Sequence, residues 1–492
     1  MAGHSNESEP TSTMEPLVLP HVADKALSDI TALLREASST SCNEKKVKVL
    51  LKASGLIQEL HERFTSIDAD CVGFTLALQH VLRSCVVSTF SNRDYFSYSY
   101  EDFEGISFVS EAVLQVLVAV LVAAVKEKRA GENVPQLVEL FCDEIVLDLL
   151  IIIGANIEDS LWSSVKASEL SNEVLNNVLK LFSCETVNEL LCMEVKTANH
   201  QNVKKVTLFS LFLSHSKDFL SKEQWQRNPY MCKVFCWFLS QAKFPLLSDH
   251  IDLILAVSLN FLLDHQELNK VQGLKVIHHL VLNVTSEEIR WYNRIEVVHQ
   301  ALNQQLHSKE CLVLSELLPT LFASVCVLDK NTTSADYHCG LLETLLRNAD
   351  MENLLVLRRL YMSNIKILIQ QMGFPSAGKL GLILGVISNY LQIDDGSSDI
   401  CRVKTLEVLQ TIVEVAWPRI PPHRDTILKC LLKVLVDIQT LHYQETHSKE
   451  AQMQMKEKIN GICQMLCKVC PSATKCFEAL KDSNHVSHLL WT

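Results

Sequence analysis

Apolar residues return every three or four positions through most of this chain, the spacing that lines one face of an α-helix. The pattern is clearest from Asn269 to Leu302, NKVQGLKVIHHLVLNVTSEEIRWYNRIEVVHQAL. Val271, Leu274, Ile277 and Val281 form a first stripe, and Ile289, Tyr292, Ile295 and Val298 form a second. Between them Thr285 or Ser286 is placed to open a helix. Glu287 and Glu288 stand in its first turn, where carboxylates favour the helix dipole. So short a connection predicts two antiparallel helices, a hairpin. A single hairpin cannot bury its apolar face alone, so neighbours of the same kind must stack on it. Similar pairs recur at about 40 residues, the length of HEAT-type repeats. The predicted fold is all-α, an elongated solenoid of HEAT-like antiparallel hairpins.

Composition supports this reading. Hydrophobic residues are 48% of the 492, enough to bury a large core. Only 14 glycines and 12 prolines are present, which disfavours a fold of many tight β-turns. The net charge of −12 argues against phosphate backbones as the main partner, because lysines and arginines supply that affinity. MAGHSNESEPTSTMEP shows neither a basic leader nor an apolar core, so no secretory signal is expected. The apolar run Ala112–Val125 falls short of the about 20 residues a membrane helix needs and contains Gln115. A soluble intracellular protein is expected, cytoplasmic or also nuclear. Its 17 cysteines would then be reduced thiols, and the sequons at Asn283 and Asn331 would go unused.

Residues 1–20, rich in Ser, Thr, Glu and Pro, read as a disordered tail. Residues 21–216 read as N-terminal helical repeats, with helices expected at 107–128, 134–153, 173–183 and 201–215 and a polar joint near 156–171. Residues 217–443 read as a more regular HEAT-like array, including one helix over 286–306. Residues 444–492 read as a terminal helical pair or cap. Within the first array, residues 93–105 (RDYFSYSYEDFEG) alternate aromatics and acids without helical spacing. That pattern fits a loop folded back on the solenoid, or an anchor for a partner.

Four local patterns resemble chemical sites. Gly373–Lys379 begins like a phosphate-binding loop, but Leu380 stands where a magnesium-binding hydroxyl is required, and Pro375 removes a backbone donor. A helix-to-helix turn is expected there. Cys463, Cys467 and Cys470 have an iron–sulfur spacing, yet that spacing also makes one buried helical stripe. Cys467 and Cys470 with His485 and His488 could be drawn as a zinc set, although the histidines stand too close in sequence. Adjacent His278 and His279 point about 100° apart and cannot share an ion. His278 is expected to be packed, with His279 more exposed. No catalytic residue, cofactor or metal is assigned.

Charged and aromatic residues of the C-terminal array are more informative. Arg358 and Arg359 form a doublet that would make a solvated face, or would pair with a carboxylate between repeats or in a partner. Trp417-Pro418-Arg419 should end a helix, with the tryptophan wedged against the next pair.

Several of these residues carry a resemblance. The run His278-His279-Leu280-Val281-Leu282-Asn283-Val284, followed by Tyr292-Asn293-Arg294, resembles the TELO-two-interacting protein two family. The resemblance extends through Trp225, Asn228, Pro229, Val234, Phe235 and Trp237 upstream. Downstream it takes in Leu357-Arg358-Arg359, Tyr361, Asn364 and Trp417-Pro418-Arg419, and in all it spans about Trp225 to about Leu441. It implies a non-catalytic scaffold, the smallest subunit of the Triple T co-chaperone complex. The implied partners are a long helical-repeat subunit and the Tel-two-type subunit. Through them it implies maturation and stability of phosphatidylinositol-3-kinase-related kinases (the mTOR, ATM, ATR and DNA-PK class) with the ninety-kilodalton heat-shock chaperone. No nucleic acid or membrane is implied. Tyr292, Asn293, Arg294, Arg358, Arg359 and Tyr361 become the candidate partner-binding residues. Without the resemblance, another HEAT-repeat adaptor for nuclear transport or trafficking would fit, and an enzyme using the C-terminal cysteines would announce itself by bound metal.

Overall fold

The apolar stripes close against one another as two layers of helices. A computed structural model of the chain describes residues 20–59, 71–85, 98–130, 145–199, 202–330 and 335–474. It divides into two compact units, Met1–Leu246 and Leu247–Thr492. Residues 217–246 therefore belong with the first unit, rather than with the array expected to begin at 217.

In the first unit, Pro20–Ser39, Cys71–Ser84, Val146–Asn156 and Pro229–Gln241 succeed one another in one layer. Asn43–Glu59, Ile106–Ala130 and Val165–Phe182 make the other. The long apolar run is thus a central helix between two neighbours. By length and composition alone, the segments Tyr100–Lys126 and Cys311–Asp329 could each cross a membrane, but 72% and 61% of their most apolar stretches are buried against the protein. Asp148, which interrupts an apolar helix, accepts from Gln79 Nε2 at 3.2 Å and Arg83 Nε at 3.1 Å. A buried carboxylate held this way is satisfied rather than stranded.

Part of the 93–105 segment lies outside the described residues. The remainder folds onto this unit. Tyr98 donates to the Gln226 carbonyl at 2.6 Å, and the rings of Phe103, Trp162 and Tyr230 follow one another at 5.1 and 5.7 Å. Gly105 turns the chain at φ +77°, where a side chain would crowd Asn43.

Two expectations here need correction. The helix expected from 173 begins at Val165, because Ser164 accepts from the Ala167 amide at 3.1 Å and donates to Glu111 at 2.6 Å. The helix expected from 201 begins only at Leu208. Before it, Glu194–Asn199 and Asn202–Thr207 pair antiparallel, with Asn199 opposite Asn202 at the turn. Val195, Thr197, Val203 and Thr207 are β-branched, which favours strands.

The second unit holds five helix pairs among the described residues. Their first members are Ile251–Leu262, Arg294–Gln304, Asp336–Met351, Leu380–Leu391 and Arg424–Gln439. The second members, Glu267–Asn283, Cys311–Asp329, Leu355–Met372, Ile400–Val415 and Lys449–Val469, pack side by side in order. This phase differs from the hairpin read between 269 and 302. Glu267–Asn283 packs on Ile251–Leu262 before it and on Cys311–Asp329 beyond, while Arg294–Gln304 pairs with Cys311–Asp329. Gly273 explains the choice. A Cβ there would lie 2.7 Å from the Ser258 carbonyl oxygen and 2.8 Å from the Leu262 nitrogen, so two backbones meet where only glycine fits.

The single helix expected over 286–306 is also broken. Ser286–Arg290 ends at a turn in which Tyr292 and Asn293 have φ of 58° and 55°, and Arg294–Gln304 starts afresh. Ile289, Ile295 and Val298 are buried as their spacing requires, whereas Tyr292 is 86% exposed. The left-handed break swings it out of the stripe.

Candidate partner-binding site

The turn at 284–294 is built from local chemistry. Thr285 and Glu288 form a capping box: Glu288 Oε2 accepts the Thr285 amide at 3.0 Å, and Thr285 Oγ1 accepts the Glu288 amide at 3.3 Å. The amide and hydroxyl of Thr285 hold the Glu288 carboxyl below its usual range. Arg294 then clamps the far side. Its Nε and Nη2 donate to Asp252 at 2.6 and 2.8 Å, and its Nη1 donates to the Glu288 carbonyl at 3.1 Å. These bonds lower the Asp252 carboxyl. The Arg294 guanidinium also lies 5.3 Å from the Tyr292 ring centre. Two successive non-glycine residues in left-handed backbone store strain, which the clamp must overcome. The result is an ordered turn presenting Trp291, 63% exposed, and Tyr292 to solvent.

The Arg358–Tyr361 group is placed differently. Arg358 is buried; its Nε donates to the Glu352 carbonyl at 2.6 Å and its guanidinium lies 4.9 Å from the Tyr390 ring centre. Tyr361 is buried as well. Arg359 makes a two-pronged pair with Asp395, Nε to Oδ2 at 2.6 Å and Nη2 to Oδ1 at 2.7 Å, and the Asp395 side chain is fully enclosed. Asp395 also accepts the Cys401 amide at 2.8 Å. The doublet is therefore no solvated face. Arg359 ties the helix Leu355–Met372 to the start of Ile400–Val415, the pairing between repeats that its planar fork allows. Of the six candidates, the structure brings Tyr292, Asn293 and Arg294 together at one exposed turn. It places Arg358 and Tyr361 in the interior, because their apolar neighbours lie on the buried face of the same helix.

The other patterns resolve into structural roles. Phe374–Lys379 is a 3-10 turn between helices, and Lys379 Nζ meets Glu343 at 2.5 Å. Lys379 and Arg347 together hold the Glu343 carboxyl down at about 2. Cys463 is buried within the helix Lys449–Val469 and Cys470 is buried just past its end, but Cys467 is only half-buried, so the expected stripe of three is incomplete; burial pushes the Cys463 thiol up to about 12. His485 and His488 lie outside the described residues. His278 and His279 are both half-buried, so the expected contrast between them is absent. Burial lowers the His278 imidazole. Trp417 is 59% exposed rather than wedged inward.

One constellation was invisible in sequence. Cys326 Sγ lies 3.7 Å from His338 Nε2, and His338 Nδ1 lies 2.6 Å from Asp329. Asp329 also accepts the backbone amide of His338 at 3.0 Å, so it caps the next helix. Burial, and then Asp329, push the Cys326 thiol up, the reverse of what an activated nucleophile requires. The set reads as a clamp between repeats.

Fold and site together define a HEAT-like α-solenoid with Trp291 and Tyr292 exposed side by side at an inter-helix turn. No family model matches the chain. It is similar to TELO2-interacting protein 2 of Rattus norvegicus, Mus musculus and Homo sapiens, at 34%, 32% and 30% identity over 284 residues. Each match covers 56% of this chain and 54% of the relative, so the chain spans about half the length of the curated relatives it matches. In fold it is similar to Kap95p, from a structural study of how its binding changes the switch loops of RanGDP, with a TM-score of 0.53 at 13% identity. That likeness covers 92% of this chain and 49% of Kap95p and concerns the fold alone.

Proposed function

We propose that this chain is a non-catalytic scaffold subunit of a Triple T-type co-chaperone complex. Similarity to three relatives named for interaction with TELO2 carries the reading. The turn at Trp291, Tyr292, Asn293 and Arg294 is the proposed partner contact, since exposed tryptophan and tyrosine, held here on a frame that Arg294 clamps from behind, are usual anchors of an interface. The partners would be a TELO2-type protein and a long helical-repeat subunit. The downstream role, in the cytoplasm or also in the nucleus, would be to support phosphatidylinositol-3-kinase-related kinases with the heat-shock chaperone. A solenoid offers extended surface rather than a deep catalytic pocket, which suits that work.

Affinity purification of the tagged full chain, read by quantitative mass spectrometry, tests this. A TELO2-type protein should co-purify, and Trp291→Ala with Tyr292→Ala should reduce its recovery at least tenfold without loss of helical content. Recovery of nuclear-transport or trafficking components in its place would sink the reading.

A further inference from the structure

An open groove runs along the outer side of the helix Leu380–Leu391. Its larger part, of about 520 Å³, is floored by Gly381, Leu382 and Gly385 and flanked by Arg347, Asp350 and His423. At Ser388 it meets a second part of about 130 Å³, flanked by Lys429 and Lys433. From Gly381 to Gln392 this is about 17 Å, or three helical turns, at 1.5 Å per residue.

Two features say what would lie in it. Gly381 and Gly385 are exposed in a helix, where glycine is the poorest former after proline. A Cβ on either would meet nothing within 4 Å, so packing inside the chain does not require them. Glycines four apart do permit another backbone to approach closely along the helix axis. The second feature is charge. The two parts are flanked by the cations Arg347, Lys429 and Lys433 against the single carboxylate Asp350. That reverses the balance of a chain whose net charge is −12. Arg347 is already paired with Glu343 and Lys433 with Gln392, but exposed Lys429 has no ion pair among the described residues.

We propose that this groove is a docking site for an amphipathic helix of a partner protein, one presenting small apolar residues flanked by aspartate or glutamate. The small residues lie against Gly381 and Gly385, Leu382 packs beside them, and the carboxylates reach Lys429 and Lys433. The site shares no residue with the Trp291–Arg294 turn and stands without the Triple T reading.

The test places a photo-crosslinking benzophenone amino acid at Leu382 of the full chain in cells and sequences the crosslinked peptide by mass spectrometry. A helical segment bearing aspartate or glutamate should be captured. Its yield should fall at least tenfold with Gly385→Leu, and again with Lys429→Glu plus Lys433→Glu, while circular dichroism stays unchanged. A yield no greater than from the same amino acid at exposed Met453 would overturn the proposal. So would capture of a lysine-rich or non-helical segment, or a yield that survives both variants. Failure of the TELO2-type protein to co-purify without irradiation would count against the proposed function alone.

Discussion

Single residues decide where the chain tolerates no substitute. Gly273 is the sharpest case, because backbone atoms of Ser258 and Leu262 stand where a Cβ would be. Gly273→Ala should destabilise the protein by about 1–3 kcal/mol, the cost of overpacking a site that cannot give. Chemical denaturation that matched the parent chain would show that the two helices can separate freely. Arg359 is the second case. Its removal leaves the enclosed Asp395 without its counter-ion, and Arg359→Ala should cost about 3 kcal/mol. The double variant Arg359→Leu with Asp395→Leu should recover much of that loss in the same unfolding measurement. Reversing charge at Arg358 and Arg359 together should accordingly unfold this region, so a lost partner in that variant would not report an interface.

At the scale of the element, the turn between Asn283 and Ile295 depends on its cap and its clamp. Thr285→Ala should cost about 1 kcal/mol, as for other N-cap threonines, readable as a lower midpoint of thermal unfolding. The carboxyls of Asp252 and Glu288 are both held below their ordinary range. Their contribution is full above the unfolded carboxylate range of about 4 and is lost as pH falls through their lower native values. With 5-fluorotryptophan incorporated, the resonance assigned by Trp291→Phe should stay constant from neutral pH to about 4. It should move below that value. A shift already under way near pH 6 would show that these carboxylates do not hold the turn. The cap itself was legible, since Thr285 with Glu288 three residues on is a local signal. The break at Tyr292 and Asn293 was not. Their apolar and polar characters fit a continuing helix, and only the Arg294–Asp252 pair, 42 residues apart, shows what holds the left-handed turn.

For the whole molecule, the division after Leu246 has a direct consequence. The second unit has its own buried layers, from Ile254 and Leu274 through Leu466. A chain cut at Leu247 should therefore remain helical and unfold cooperatively when measured by circular dichroism and calorimetry. A broad, non-cooperative transition would mean that its core is incomplete alone.

The sequence by itself determined the class of fold, the existence of most helices and most of the core. Those depend on a 3.6-residue period and on capping chemistry that acts within one turn. The sequence's resemblance to a known family made Tyr292-Asn293-Arg294 candidate partner-binding residues. Tertiary structure decided which helix pairs with which, because short connections stand on both sides of Glu267–Asn283 and periodicity favours neither. The close approach at Gly273 settles that choice. Tertiary structure likewise turned Tyr292 outward, drew Arg358 and Tyr361 inward and paired Arg359 with Asp395. A side chain's fate on a half-buried face depends on neighbours tens of residues away, and no local pattern encodes them.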